Sequence, residues 1–302
     1  MQGAMKTPTA GDQWAEKQGI VVKLAAEILA HTGLNVSIAT DGAIHRLDHP
    51  DSRKGNKRVW YVAHHDFACF GVWGLVDTQY VFPDGEHDPE AAEKARLEAE
   101  RARQERQAER ERQHALVARL CRREKPGLSP AAPGHAYLIA KRCKPFGLLQ
   151  DGDRLVVPMY CEAGLVNFQY IDGDGIKRFR PGGRKKGAYF PVGAPKPGEP
   201  LLVCEGVATG LTLHEATGYA VACAMDCGNL LPVCQSLRAR HPAVAIIVCA
   251  DNDHRTRGNP GVTKGKEAAT AVGGRCIWPE FPEGFVGTDF NDLAAAGEEV
   301  TV

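Results

Sequence analysis

The sequence predicts an α/β protein whose last hundred residues form a parallel sheet covered by helices. Between residues 199 and 302, short apolar runs alternate with helical segments. That alternation is typical of a parallel sheet with helices on both faces. In addition, the runs LLVC and AVAIIVCA each end in acidic residues. Ligands of such sheets bind at the carboxyl ends of the strands, so a site is expected there.

The composition is that of an ordinary globular protein. The chain has 302 residues, 43% hydrophobic and 25% charged, which is enough for more than one domain. No stretch approaches the roughly 20 apolar residues of a membrane span, so we expect no membrane association and a cytoplasmic location. The 10 cysteines include no CxxC pair. We therefore expect buried, reduced thiols.

Four segments are predicted along the chain. Residues 1–85 hold a first helix, at 14–33, and a β-rich module. Residues 86–126 form a long charged helix that ends at Pro126, residues 127–198 a small basic α+β subdomain, and residues 199–302 the α/β domain. The long helix lacks an apolar heptad, which favours a spacer over a coiled-coil arm.

The expected buried face of the first helix is formed by small and large apolar residues at helical spacing: Ile20, Val21, Leu24, Ala25, Ile28 and Leu29. The β-rich module that follows contains four histidines, at positions 45, 49, 64 and 65. Without paired cysteines, these are expected to be core or surface histidines, and we predict no zinc site.

Charge is divided unevenly between the last two segments. Residues 121–193 carry 13 Lys and Arg against 6 Asp and Glu, whereas residues 200–302 carry 7 against 12. This division favours a segment that meets an anion followed by one that holds a cation.

A basic cluster closes the third segment and is interleaved with aromatic residues. It comprises Lys177, Arg178, Arg180, Arg184, Lys185 and Lys186. Such a cluster favours a segment that meets an anion. A solvated basic loop is the alternative.

Three carboxylates are expected to meet at one edge of the sheet. Glu205 follows LLVC, and Asp251 and Asp253 follow AIIVCA. Residues i and i+2 of an extended chain point to the same side, so Asp251 and Asp253 can share an ion that Glu205 completes. Hard oxygen ligands select Mg²⁺ or Mn²⁺. A single Asp-x-Asp is also common in turns and helix caps, so the second strand end strengthens the prediction.

These motifs resemble the Toprim domain of bacterial-type DNA primases, topoisomerases and some nucleases. The resemblance rests on Glu205-Gly206 in LLVCEGVATGLTLHEATG and on Asp251-Asn252-Asp253 in IIVCADND. NPGVTKGKEAA and TDFNDL are similar to Toprim primases of plasmids, phages and integrative elements. The segments DRLVVPMYCEAGLVNFQYI and KRFRPGGRKKGAYF look like the basic subdomain that precedes Toprim in primases. Together they cover about residues 134–295.

The resemblance implies roles for the charged residues. Glu205, Asp251 and Asp253 would be catalytic, with Glu205 a metal ligand or general base and the two aspartates holding the metal. Asp289, with Asp292, would offer a further metal position, although a helix cap explains Asp289 equally well. Lys264 and Lys266 would touch phosphate. The basic cluster would grip template or nucleotide, and Phe179 or Tyr189 would stack on a base.

The implied activity is DNA primase, which makes RNA primers on single-stranded DNA from ribonucleoside triphosphates for a mobile element. The alternatives are a Toprim nuclease and a non-catalytic, DNA-binding replication adaptor. Bacterial-type primases usually begin with a zinc-binding domain, whose cysteine pattern is missing here. GNPGVTKGKE departs from a P-loop because Pro260 and Glu267 occupy required positions, so a helicase is expected to be a separate partner.

Overall fold

The computed structural model describes residues 10–64, 67–82, 89–281 and 285–302, and the chain divides into two compact units, Met1–Arg106 and Gln107–Val302. His65 lies outside the described residues. In the described part, no helix combines the length and apolar character needed to cross a bilayer. The four predicted segments divide the chain more finely than these two units, so their boundaries stay a prediction.

The first unit packs a helix against one face of an antiparallel sheet. Helix α1 spans Ala10–Thr32, and the strands β1 to β4 follow in chain order as His45–Leu47, Val59–Ala63, Ala68–Val72 and Val76–Val81. Ile20, Leu24 and Ile28 are buried against the sheet, as their spacing predicts. Leu29 is exposed, contrary to the prediction, because it lies one residue beyond the buried stripe.

Helix α2 spans Pro89–Glu124 and is followed by a short 3₁₀ turn at Lys125–Gly127, so the helix ends beside Pro126 as predicted. Its last turns are anchored within the second unit. Val117 and Cys121 are buried together with Val156 and Phe168, two residues of the sheet that follows. The end of this helix is therefore part of a core, whereas the charged residues at 100–112 are exposed.

The next sheet is antiparallel and belongs to the basic segment. Its strands, in spatial as in chain order, are β5 (Ser129–Pro130), β6 (Leu149–Asp151), β7 (Arg154–Cys161), β8 (Gly164–Ile171) and β9 (Lys177–Phe179). The short helix α3, at Ala136–Lys141, lies between β5 and β6 in the chain.

The last sheet has the order β10-β12-β11-β13-β14. Its strands β10 to β14 are Phe190–Val192, Leu201–Cys204, Ala220–Cys223, Ile246–Cys249 and Arg275–Ile277. Strands β11 to β14 are parallel, as predicted, but β10 pairs antiparallel with β12 at the edge. The chain reaches this edge directly from the basic segment, without a crossover helix, so it arrives in the opposite direction.

Helices cover both faces of this sheet, as the apolar strands predict. The helices α4 to α7 span Val207–Thr217, Leu230–Arg240, Pro260–Ala271 and Phe290–Ala295. Leu202 and Val221 pack with Leu211 of α4 and Phe290 of α7 on one face. On the other face, residues such as Val203 and Val248 pack with α5 and α6.

The strand order places a crevice between β11 and β13. The chain passes from β11 to β12 on one side and later returns to β13 on the other side of β11. Ligands of open α/β sheets bind at such a switch point, beyond the carboxyl ends of the strands. Glu205 and Asp251 follow the two strands that flank it.

Candidate active site

The ends of three neighbouring strands are level at this edge of the sheet. Cys204 pairs in register with Cys223 on one side and with Cys249 on the other. All three thiols are buried, and burial raises the pKa of Cys204 and Cys249. They fill the core beneath the edge as small apolar residues. The chain turns acidic directly after each of these strands.

We call the resulting group of carboxylates the acidic edge: Glu205, Asp226, Asp251, Asp253 and Asp289. The sequence prediction missed Asp226. It follows β12, and the Met225 N–H donates to the Glu205 carbonyl at 2.8 Å, which brings Asp226 beside Glu205. The signal was available, because YAVACAMD is an apolar run that ends in an acid like the other two. Met225 itself has φ 75, the left-handed region that non-glycine residues rarely adopt.

Glu205 and Asp251 are half-buried and repel each other. The Oε1 atom of Glu205 and the Oδ1 atom of Asp251 are buried without a hydrogen-bond partner among the described residues. Burial, followed by Asp253, raises the pKa of Glu205 to about 7. Burial, followed by Glu205, Asp289 and Asp253, raises the pKa of Asp251 to about 8. The edge is therefore short of positive charge.

Asp253 also fixes the start of helix α6. Its Oδ2 accepts the Gly261 N–H at 3.0 Å, and a Cβ at position 261 would stand 2.3 Å from the Asp251 carbonyl oxygen. Glycine is therefore required for this close approach. Asp253 thus acts as a local cap, while its charge acts on both Glu205 and Asp251.

Asp289 serves in two ways, and Asp292 in a different one. Asp289 caps α7 by accepting the Asp292 N–H at 2.8 Å, so the cap that was weighed as an alternative is present. Its charge also raises the pKa of Asp251. The Asp292 carboxylate instead accepts the Thr288 N–H at 2.9 Å and lies 3.8 Å from the Lys141 ammonium.

The predicted basic cluster contains both paired and free cations. Arg180 forms a two-pronged ion pair with Glu124, and Arg184 donates to Glu162 at 2.8 Å. Lys185 pairs with Asp226 and lies over the Phe179 ring. The exposed Arg178 and Lys186 have no ion-pair partner within the described part of the chain.

Lys177 is a basic residue whose charge acts on the carboxylate of Asp251. Its stem is exposed on β9, but its ammonium is crowded by protein and lies 5.9 Å from the centre of the Tyr137 ring. This burial and the neighbouring Lys141 lower the pKa of Lys177, whereas Asp289 and Asp251 oppose the change. The ammonium therefore lies within the field of the acidic edge.

The stretch of residues 180–188, here called the basic loop, is fastened to the parallel sheet by Asn229. The buried Asn229 Nδ2 donates to three carbonyl oxygens, those of Lys185, Ala188 and Ala224, at 3.1, 2.9 and 2.8 Å. Its Oδ1 accepts the Gly187 N–H at 2.8 Å. A purely solvated loop would not need a fully bonded buried amide, so this loop is held in a fixed position against the parallel sheet.

The remaining predicted contacts lie at varied positions. Lys264 is exposed on α6 and pairs with Glu267 at 2.6 Å, while the Lys266 ammonium lies 4.5 Å from the centre of the Trp278 ring. Tyr189 is buried, which contradicts its predicted stacking on a base. Its backbone pairs with Tyr160 at the sheet edge, which turns the ring into the core.

The donor set at the acidic edge fits a divalent cation. Five carboxylates with two buried, unpartnered oxygens offer hard ligands and excess negative charge. As placed, no three His, Cys, Asp or Glu side chains of the described residues already converge on an ion position. The fit therefore rests on chemistry and burial.

In the first unit, His45 bonds to Asp41, His49 is buried and His64 stacks on Phe67.

Comparisons with known proteins agree with this geometry. Residues 200–299 match the family model of the Toprim domain. Two Escherichia coli proteins, each named DNA primase TraC, are similar to the chain. One is 36% identical over 261 residues, which cover 81% of this chain and 24% of the relative. The other is 33% identical over 256 residues, which cover 80% and 18%. The chain thus spans about a quarter or less of the length of these relatives.

A solved structure shows a weaker likeness. It is the bacteriophage T7 lagging-strand DNA polymerase interacting with primase domains of two gp4 subunits, bound to an RNA/DNA hybrid and dTTP. One of its chains matches 53% of this chain and 84% of its own length, at 19% identity and a TM-score of 0.37. The assignment of a Toprim domain to residues 200–299 rests instead on the family match and on the acidic strand ends.

Proposed function

We propose that this chain is a DNA primase, which makes short RNA primers on single-stranded DNA by metal-dependent nucleotidyl transfer. The observation that carries the proposal is the acidic edge with a basic loop fastened beside it. The names of the two TraC relatives support it, since both are DNA primases. The proposal extends to the mobile-element setting, because primases of this kind serve plasmids and phages.

The acidic edge would supply the reacting groups. Glu205, Asp251 and Asp253 would hold Mg²⁺ or Mn²⁺, with Asp289 and Asp226 adjacent. When bound, such an ion would neutralise phosphate charge and lower the pKa of the attacking 3′-hydroxyl. The Glu205 Oε1 atom is an unpartnered buried acceptor, so Glu205 would serve either as a ligand of the ion or as the general base that takes the hydroxyl proton.

The basic residues would hold the strand and the triphosphate. Arg178 and Lys186, like Lys177, have no ion-pair partner among the described residues, so these cations are available to phosphate. Lys177 lies in the field of the acidic edge, where a triphosphate bound to the metal would also lie. Lys264 and Lys266 are the weaker candidates for phosphate contacts, since one already pairs with Glu267 and the other lies on Trp278.

The setting of the reaction follows from its substrates. A single-stranded template and ribonucleoside triphosphates meet in the cytoplasm of a bacterial cell, where the thiols of this chain would stay reduced. A replicative helicase that exposes the template would be a separate partner. No membrane is needed for this chemistry.

Two other activities remain outcomes of the same test. A Toprim nuclease would use the acidic edge to activate water, but it would not need a fixed basic loop for an incoming nucleotide. A non-catalytic adaptor would not need buried carboxylates at a cost in stability. Neither alternative is favoured by the named relatives.

The test is primer synthesis on a single-stranded DNA circle with labelled ribonucleotides and Mg²⁺. We expect short labelled products from the wild type and none from Asp251→Ala. Cleavage of the circle without products would support the nuclease. If the wild type neither synthesises nor cuts, with or without added helicase, the proposal is wrong and the adaptor takes its place.

A further inference from the structure

The first unit carries a surface that the proposed active site does not use. Helix α1 packs on the inner face of the sheet β1 to β4, through Ile20, Leu24 and Ile28. The side chains that alternate with this core point to the other side, here called the outer face. On β2 these are Trp60 and Val62, both partly exposed.

Two aromatic residues, Trp60 and Tyr80, lie on the outer face. Arg46, Trp60 and Gly71 are paired across three strands, and Val62, Cys69 and Tyr80 form the next row. Trp60 lies over Gly71, since a Cβ there would stand 3.0 Å from three indole atoms. Tyr80 is 66% exposed. The absence of a side chain at Gly71 leaves room for the flat indole.

A second exposed group lies at the end of the same sheet. The turn between β3 and β4 presents Trp73, 57% exposed, and Leu75, 62% exposed. Arg58 holds this turn, because its Nε and Nη2 atoms donate to the Trp73 carbonyl at 3.0 and 2.5 Å. Trp73 and Leu75 thus place exposed apolar surface at one end of the sheet, and contiguous exposed apolar surface is a feature of binding sites.

The connection between β1 and β2 adds positive charge beside this turn. Five basic residues lie within thirteen positions, against Asp48 and Asp51: Arg46, Arg53, Lys54, Lys57 and Arg58. Asp48 is already engaged, since its two oxygens accept the Gly55 and Lys57 N–H groups at 2.9 and 2.8 Å. These bonds fix the conformation of the connection. With five basic residues against two acidic ones, residues 46–58 carry a net positive charge.

We propose that the outer face and the connection between β1 and β2 bind single-stranded DNA. The bases would stack on Tyr80, Trp73 and Trp60, and Arg53 and Lys54 would hold the phosphates. Aromatic rings with neighbouring cations are the features that bind unpaired strands without sequence preference. A protein partner would not require the concentration of cations. The choice of DNA over RNA rests on the proposed function. The binding surface itself is inferred from its own aromatic and basic residues.

The test measures binding of the full chain to a fluorescent dT oligomer of about 20 nucleotides, over a range of salt and without ribonucleotides. We expect Trp73→Ala with Tyr80→Ala to weaken binding at least about tenfold. Arg53→Ala with Lys54→Ala should lower the salt slope by about 1.4. The exposed α1 residues Val22 and Leu29, changed to Ala, are the matched control and should bind as the wild type does.

Crosslinking with an iodouracil-containing oligomer locates the strand independently of affinity. We expect crosslinks at Tyr80 or Trp73, also in the inactive Asp251→Asn chain, because binding here needs no catalysis. Wild-type binding by the aromatic variant, together with crosslinks confined to residues 107–302, would overturn the inference. Preference of this surface for an rU oligomer would overturn the choice of DNA. Crosslinks at Tyr80 without any primer synthesis would contradict only the proposed function.

Discussion

The acidic edge and the basic loop are opposite in how their charges are satisfied. In the loop, Arg180, Arg184 and Lys185 have carboxylate partners within the chain. At the edge, Glu205 and Asp251 have buried oxygens without partners and raised pKa values. The comparison teaches that the carboxylates of the acidic edge need a cation, whereas most cations of the basic loop already pair with carboxylates of the same chain.

Removing one carboxylate should produce the largest effect. Asp251→Asn relieves the repulsion of Glu205 and Asp289, so without divalent ions the free energy of unfolding at pH 8 should rise, by about 2 kcal/mol. Primer synthesis should fall about 1,000-fold or more. Denaturant unfolding and primer assays measure the two. The exposed Asp174→Asn is the control, and an equally active Asp251→Asn chain would contradict the site.

Breaking the attachment of the loop should come next. Asn229→Ala removes four hydrogen bonds and should lower the free energy of unfolding by about 2–4 kcal/mol. Because the loop then moves relative to the edge, KM for ribonucleotides should rise. Asn291→Ala is the matched control, since Asn291 is also buried and donates to Lys141 and Thr212 away from the loop. Equal kinetics in the two variants would make Asn229 merely structural.

The pH dependence of stability should reveal the repulsion at the acidic edge without any mutation. The pKa values of about 7 and 8 lie above the usual 4.5 and 3.8, so the folded chain holds protons that the unfolded chain releases. Without divalent ions, stability should therefore fall as pH rises from about 4 to about 8. Added Mg²⁺ should raise Tm more at pH 8 than at pH 5. A rise in stability over this range, measured by calorimetric melting, would contradict the repulsion.

The smallest expected effect concerns two exposed cations without an ion-pair partner among the described residues, Arg178 on β9 and Lys186 in the basic loop. Arg178→Ala with Lys186→Ala should weaken single-strand binding and lower its salt slope by about 1.4. Arg184→Ala should change the slope less, because Arg184 is already paired with Glu162. Anisotropy over a range of salt measures both. If the paired arginine had the larger effect, strand binding would have to compete with the internal ion pairs.

Strand ends and helices followed from the sequence because apolar runs and turn residues are local signals. The same rule that selected Glu205 and Asp251 would have selected Asp226, which follows an equally apolar run. The role of Asn229 had no such signal, since three of its four bonds join residues about forty positions apart. The direction of β10 and the burial of Tyr189 also depend on long-range pairing, which no local pattern specifies.

The most direct test of the central claim is calorimetric titration of the full chain with Mg²⁺ or Mn²⁺ at pH 8. We predict binding by the wild type that is lost in Asp251→Asn and strongly weakened in Glu205→Gln. The exposed Asp174→Asn should bind as the wild type does. Undiminished binding by the Asp251 and Glu205 variants would contradict the account, because the acidic edge would then not be the site that needs a cation.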